Sequence, residues 1–195
     1  MSEDITPELL LSAYAQGYFP MAESHDDPKI YWFYPEMRGI IPLENFHVPR
    51  SLARLLKKNP FEITFNKAFA EVMRGCAERE KTWINGRIIK LYCELHTLGF
   101  AHSMECWKDS KLVGGIYGVS LGRAFFGESM FSRVPNASKA ALATLLEHLK
   151  NMGYTLFDTQ YINEHLKQFG GLEIPREAYL GLLEAAIRPH PETTL

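Results

Sequence analysis

Cysteine is scarce in this sequence: three of 195 residues, Cys76, Cys93 and Cys106, at spacings of 17 and 13 and with no C-x-x-C pair. An odd number so widely spaced argues against a disulfide framework and against a zinc motif. Long hydrophobic runs are missing too, and none approaches the ~18 apolar residues that read as a membrane-spanning helix. The first residues, Met1-Ser2-Glu3-Asp4, are acidic rather than a basic lead into an apolar stretch, so a soluble, cytoplasmic protein is expected. No charge sign dominates: 21 Lys and Arg stand against 23 Asp and Glu, a net of -2. The run Gly127-Glu128-Ser129-Met130-Phe131 lacks the second glycine of a Gly-x-Ser-x-Gly nucleophile elbow, which disfavours a serine hydrolase. What is present is 46% apolar and 12% aromatic residues, a composition that excludes a disordered or low-complexity chain. A chain of this length suits one domain, or one plus a small appendage, and buries about 70% of its extended-chain surface.

The balanced total conceals a basic middle. Residues 1–46 carry 2 basic and 8 acidic side chains, residues 47–92 carry 10 and 4, and residues 93–195 carry 9 and 11. Two readings of the middle segment stand side by side: a solvated helix pair facing acidic flanks, or a surface for a polyanion. Thr6-Pro7-Glu8 caps a helix that Gly17 stops, and strands are expected at 29–34 and 39–43, interrupted by Pro35 and Pro42. A basic helix over 49–58 completes a candidate N-terminal subdomain, residues 1–60. The second domain, 61–195, reads as strand 61–65, helices 66–78 and 86–98, then strands 102–107, 112–119 and 123–131 as an antiparallel meander. A helix over 136–152, a strand over 154–159, a short helix from Asn163 to Phe169 and a last helix from about 175 to 187 follow. The fold class is therefore α+β, a central and mainly antiparallel sheet flanked by helices.

Three places carry potential chemistry. Glycines at 114, 115, 118 and 127 lie in strand interiors, where they mark either bulges or a close approach to the backbone. Pro135-Asn136-Ala137-Ser138-Lys139 opens the long helix, either with ordinary capping by Asn136 or as a seat for a phosphate near Arg133 and Lys139. Asp158 and Gln160, two apart at a strand end, point to one face of the sheet.

The strings Gly127-Glu128-Ser129-Met130-Phe131-Ser132-Arg133 with Asn136-Ala137-Ser138-Lys139, Thr82-Trp83-Ile84, Ala101-His102-Ser103-Met104-Glu105 and Asp158-x-Gln160 closely resemble the bacterial leucyl/phenylalanyl-tRNA–protein transferases. The resemblance runs from about Leu9 to Leu182. It implies an aminoacyltransferase with a GNAT-like catalytic domain that moves Leu or Phe, and less readily Met, from aminoacyl-tRNA to the N-terminal amine of proteins beginning with Arg or Lys, marking them for N-end rule degradation. An aminoacyl ester is already activated, so no metal or other cofactor is expected. Position by position, the resemblance places Ile116 and Phe125 in the apolar aminoacyl pocket, and Tyr14, Trp83, Tyr92, Glu128 and Ser129 against the aminoacyl-adenosine or the acceptor peptide. Asp158 and Gln160 fall on the catalytic pair, with Glu128 drawing the cationic acceptor. The basic middle, especially Arg50, Arg54, Lys57, Lys58, Lys81 and Arg87, is then expected to face tRNA.

Two features depart from the family pattern. Met21 follows the Phe-Pro corner where many members carry Trp, leaving Trp32 or Tyr18 to compensate or adenosine less firmly held. The first helix also begins close to residue 1, without the extra N-terminal segment common in the family. Two other classes compete with this reading. An acetyl-CoA N-acetyltransferase would need a glycine-bearing pyrophosphate loop where Arg133-Val134-Pro135-Asn136-Ala137-Ser138 stands. A non-catalytic adaptor for basic N-termini would need Glu128 but neither Asp158 nor Gln160.

Overall fold

The computed structural model describes residues 5–27 and 29–188. Thr6 accepts a hydrogen bond from the Leu9 amide and Pro7 opens helix α1 (Pro7–Ala15); Gly17, at φ +85°, then turns the chain away. Strands β1 (Phe19–Met21) and β2 (Tyr31–Phe33) form a two-stranded ribbon, and β3 (Met37–Ile41) follows. Then come α2 (Arg50–Leu56), β4 (Glu62–Phe65), α3 (Phe69–Ala77) and α4 (Gly86–Thr97). The meander is β5 (Ala101–Lys108), β6 (Lys111–Leu121) and β7 (Ala124–Ser132). After it run α5 (Ala137–Asn151), β8 (Leu156–Gln160), the short α6 (Glu164–Lys167), β9 (Leu172–Pro175) and α7 (Arg176–Ile187).

Seven strands form one sheet in the order β4-β5-β6-β7-β8-β3-β9, antiparallel throughout except for the β7–β8 pair. β3 thus carries the N-terminal part of the chain into the main sheet. The β5–β6 hairpin turns through Asp109 and Ser110, both at positive φ as a two-residue turn between twisted strands requires. Period-two alternation divides the core into two layers. Ile40, Tyr117, Val119 and Phe126 face α1, α3, α4 and α7, whereas Ile41, Ile116, Phe125 and Phe157 face α2, α5 and α6.

Several expectations are corrected. β1 and β9 were not anticipated, because three- and four-residue strands carry too little periodicity to separate from their flanks. β3 begins at Met37 rather than 39 and takes in Arg38, and β8 begins at Leu156 rather than 154, since the Tyr154 amide still closes the end of α5 on the Leu149 carbonyl. Asn136 does not cap α5: it sits at φ +69° and its side chain makes no capping bond. The Ser138 amide instead donates to Ser132 Oγ at 3.2 Å.

Pairing between β7 and β8 covers only Ala124–Phe126 against Leu156–Asp158, yet β7 runs on to Ser132. Beyond Phe126 the two strands part, and a cavity opens along that divergence.

Candidate active site

A cavity of about 660 Å³ fills the divergence and joins the two layers of the core. Ile116, Phe157 and Leu166 make one end apolar, while Glu128, Ser129 and Gln160 make the middle polar. Glu78, Arg79 and Arg133 stand at the rim, and Met21 and Trp83 lie between this cavity and a smaller one of about 470 Å³ that includes Glu23, His25, Glu80 and Lys81.

Glu128 is the centre of the polar part. Its Oε1 accepts from the Tyr14 hydroxyl at 2.6 Å and from the Gln160 side-chain amide at 2.9 Å, and its Oε2 accepts from Tyr92 at 3.2 Å. The two phenol oxygens are themselves 2.5 Å apart. Burial pushes the Glu128 carboxyl up to about 7; the hydrogen bonds from Tyr14, Gln160 and Tyr92 hold it back, and the nearby Asp158 charge adds to the rise. Burial likewise raises both tyrosines well above their ordinary value, so they remain neutral donors. Because Gln160 spends its NH2 group on Glu128, its carbonyl oxygen is left as the acceptor end of the amide.

Asp158 lies beneath this network and is fully buried. Arg38 grips it with Nε at 2.9 and 3.1 Å and with Nη2 at 2.7 Å; the Tyr179 hydroxyl donates to it at 2.6 Å, and the Gln160 backbone amide at 2.7 Å. The Arg38 guanidinium also donates to the Gly17 carbonyl at 2.9 Å and lies 4.5 Å from the Phe19 ring centroid and 4.6 Å from that of Tyr179. A buried charge pair persists only when its polar atoms are partnered, and here each Arg38 nitrogen and both Asp158 oxygens have a partner.

Family models for the leucyl/phenylalanyl-tRNA–protein transferases match residues 40–184, and a model of their N-terminal domain matches residues 3–36. The leucyl/phenylalanyl-tRNA–protein transferase of Ruegeria sp. strain TM1040 is 56% identical over 183 residues, covering 94% of this chain and 87% of the relative. That of Nitrobacter winogradskyi is 54% identical over 190 residues, covering 95% of this chain and 84% of the relative. The chain belongs to the leucyl/phenylalanyl-tRNA–protein transferase family. It is an aminoacyltransferase. Among solved structures, FemX superposes with a TM-score of 0.57 at 14% identity, covering 93% of this chain and 73% of that one, which is a likeness of fold.

For this transferase, the structure brings Tyr14, Tyr92, Glu128 and Gln160 into one hydrogen-bonded group, with Trp83, Ile116 and Ser129 lining the same cavity. Phe125 stops short of it: fully buried, its ring stacks on Phe157 with centroids 5.6 Å apart, and Phe157 is the ring that lines the wall. Asp158 reaches Gln160 through the backbone amide, whereas the carboxylate on the Gln160 side chain is Glu128. Neither Trp32 nor Tyr18 lines either cavity: Tyr18 stacks on Tyr34 and Trp32 is exposed, whereas Met21 itself lines both cavities.

The residues expected to face tRNA fall in two places. Arg50, Arg54, Lys57 and Lys58 are exposed on α2 and just beyond it, in the layer shared with α5, whereas Lys81 lies beside Trp83 and Arg87 in the first turn of α4, in the other layer. Among the described residues no ion pair engages Arg50, Arg54, Lys57, Lys58 or Lys81. The phosphate seat at the start of α5 is largely spoken for: Arg133 pairs with Glu78 at 2.6 Å, and Lys139 donates to Gln168 at 3.3 Å.

Sequence reasoning passed over Arg38, Tyr179 and Phe157. A signal for Arg38 was present, since it is one of only two basic residues in the first 46 and abuts the apolar run Gly39-Ile40-Ile41. A charge inside a buried strand needs a partner, and the unpaired candidate was Asp158.

Proposed function

We propose that this aminoacyltransferase moves Leu or Phe, and less readily Met, from aminoacyl-tRNA to the α-amine of proteins whose first residue is Arg or Lys, marking them for N-end rule degradation. The observation that carries the reading is the junction, inside one cavity, of an apolar end walled by Ile116 and Phe157 with the Glu128–Gln160 pair. An unbranched or branched apolar side chain fits the first part, and size and shape alone discriminate there. Trp83 and Met21, at the boundary with the second cavity, suit the terminal adenosine. We read the domain as GNAT-like and the protein as cytoplasmic, where charged tRNA is found.

In the reaction the amine nitrogen attacks the ester carbonyl carbon, the bond from that carbon to the ribose oxygen breaks, the ribose regains a hydroxyl and the ammonium loses a proton. An α-amine of pKa about 7.7–8.0 is mostly protonated at neutral pH, so a group that favours the neutral amine helps. The Gln160 carbonyl accepts a hydrogen bond from the attacking nitrogen. Glu128, whose carboxyl burial raises to about 7, takes the proton in its ionised form, directly or through one water. Its charge also favours a cationic acceptor at the mouth. Asp158 keeps Gln160 in place, and positioning supplies much of the acceleration.

Incubation of Leu-tRNA, Phe-tRNA or acetyl-CoA with a peptide beginning in Arg, followed by mass spectrometry, tests the assignment. Addition of a leucyl or phenylalanyl residue is expected. An acetyl increment, or no product, would overturn it.

A further inference from the structure

Gln160 occupies a backbone conformation that L-residues avoid: φ is +63°, and the Tyr161 amide donates across it to the Thr159 carbonyl at 2.7 Å, closing a three-residue turn. Such a conformation persists only where the surroundings impose it, and a strained residue in a cavity wall is a pointer to function. The imposing contact is the hydrogen bond from the Gln160 amide to Asp158 Oδ1, because that bond fixes the peptide plane entering the turn. Asp158 in turn cannot move. It is clamped by Arg38 through two guanidinium nitrogens, and Arg38 is 1% exposed, tied to the Gly17 carbonyl and sandwiched between the rings of Phe19 and Tyr179. Gly39, next to Arg38, permits the approach: a Cβ there would lie 2.7 Å from Thr159 Oγ1 and 2.8 Å from the Tyr161 carbonyl carbon.

We infer that Arg38 is a positioning residue for aminoacyl transfer, holding the Asp158 carboxylate that imposes the left-handed turn at Gln160 and so aims the Gln160 amide into the cavity. The inference rests on the reading that Gln160 faces the attacking amine. It assigns the buried pair a task distinct from proton transfer, since five hydrogen-bond contacts from Arg38, Tyr179 and the Gln160 amide already occupy the two Asp158 oxygens. Residues from α1's end, β3, β8 and α7 meet at this one clamp, so the reacting wall is fixed by contacts outside the cavity.

The test is a double-mutant cycle on single-turnover transfer at saturating aminoacyl-tRNA, using Arg38→Lys and Gln160→Ala. A misplacement of about 1 Å costs on the order of 10²-fold, and Arg38→Lys is expected to slow transfer by that order while leaving KM for aminoacyl-tRNA nearly unchanged. In the Gln160→Ala background the same change should cost little more. An undiminished effect there overturns the inference while leaving the Gln160 reading intact, because a merely structural Arg38 would lower activity equally in both backgrounds. Wild-type transfer by Gln160→Ala alone overturns the reading and the inference with it. Where Arg38→Lys does not fold, Tyr179→Phe takes its place in the cycle, removing one donor to Asp158 while retaining the ring beside Arg38, and its outcomes are read in the same way.

Discussion

Burial of Glu128 among neutral donors sets the sign of its contribution to pH-dependent stability. The folded state holds this proton up to about 7, whereas the unfolded chain releases it near the ordinary 4.5. Between those values the folded protein binds more protons, so the contribution falls as pH rises through the window and levels off above it. At 1.36 kcal/mol per unit, the loss between pH 5 and 8 is about 2–3 kcal/mol. His102 slopes the other way: burial lowers it to about 4, with His96 adding to the shift, so its contribution is full above the unfolded value and lost on acidification. The wild type is therefore compared with Glu128→Gln by urea titration at both pH values. The variant should gain stability relative to wild type by about 2–3 kcal/mol on going from pH 5 to 8. In transfer assays the same variant is expected to lose the rising limb near pH 7 and to drop by about 10²–10⁴-fold, the usual contribution of general base catalysis. At the proposed adenosine site, Met21→Trp supplies an indole where a thioether now faces the cavity beside Trp83. Base stacking is worth about 1–3 kcal/mol, so KM for aminoacyl-tRNA should fall several-fold with kcat unchanged.

At the level of elements, the glycines separate into tight contacts in the strands and open space in helix α4. A Cβ on Gly118 would stand 2.3 Å from the Phe126 carbonyl oxygen and 2.4 Å from the Phe125 ring, and one on Gly114 would stand 2.6 Å from the Ala137 Cβ. Overpacking typically costs about 1–3 kcal/mol, and Gly118→Ala should lose at least that in a thermal melt, because a backbone oxygen cannot rotate aside. Gly86, in the first turn of α4, has nothing within 4 Å and no positive φ. Gly86→Ala should be neutral or stabilise by up to about 1 kcal/mol. The long elements were legible because each states its own period and stops: α1 has Thr6 and Gly17, and the meander has turns at Asp109-Ser110 and Gly122. The close approach behind the glycines was legible only as one of two readings. At the α5 start two readings stood open, and the capping one fails because an asparagine tolerates the left-handed region as readily as it caps a helix. At the site, Glu128 and Gln160 were legible as residues, but their partnership was not, nor was Arg38 with Asp158 across 120 positions. Local pattern carries no information about which strands become neighbours.

For the molecule as a whole, the sheet stands between the two basic groups, and the proposed tRNA binding should then show a salt dependence with two separable parts. Lys81 lines the smaller cavity beside Trp83 and should contact the acceptor end of tRNA, whereas Arg50, Arg54, Lys57 and Lys58 should meet only the body. Lys81→Ala is expected to weaken binding of full aminoacyl-tRNA and of a short aminoacyl oligonucleotide alike, reducing the salt slope by about 1. Neutralising the four α2-side residues should weaken full tRNA alone. Filter binding across a salt series distinguishes the two, and equal losses for both ligands would refute the division.

The parting of β7 from β8 has one more consequence, visible in amide exchange. Past Phe126, β7 keeps β6 on one side, with a bulge at Glu128, and among the described residues has no strand on the other, so the backbone N–H groups between Gly127 and Ser132 that point away from β6 lack a sheet partner there. Those amides should exchange with deuterium much faster than their alternating neighbours. They should slow once an aminoacyl ester or an acceptor chain occupies the gap, giving a label-free record of occupancy that no side-chain substitution can erase.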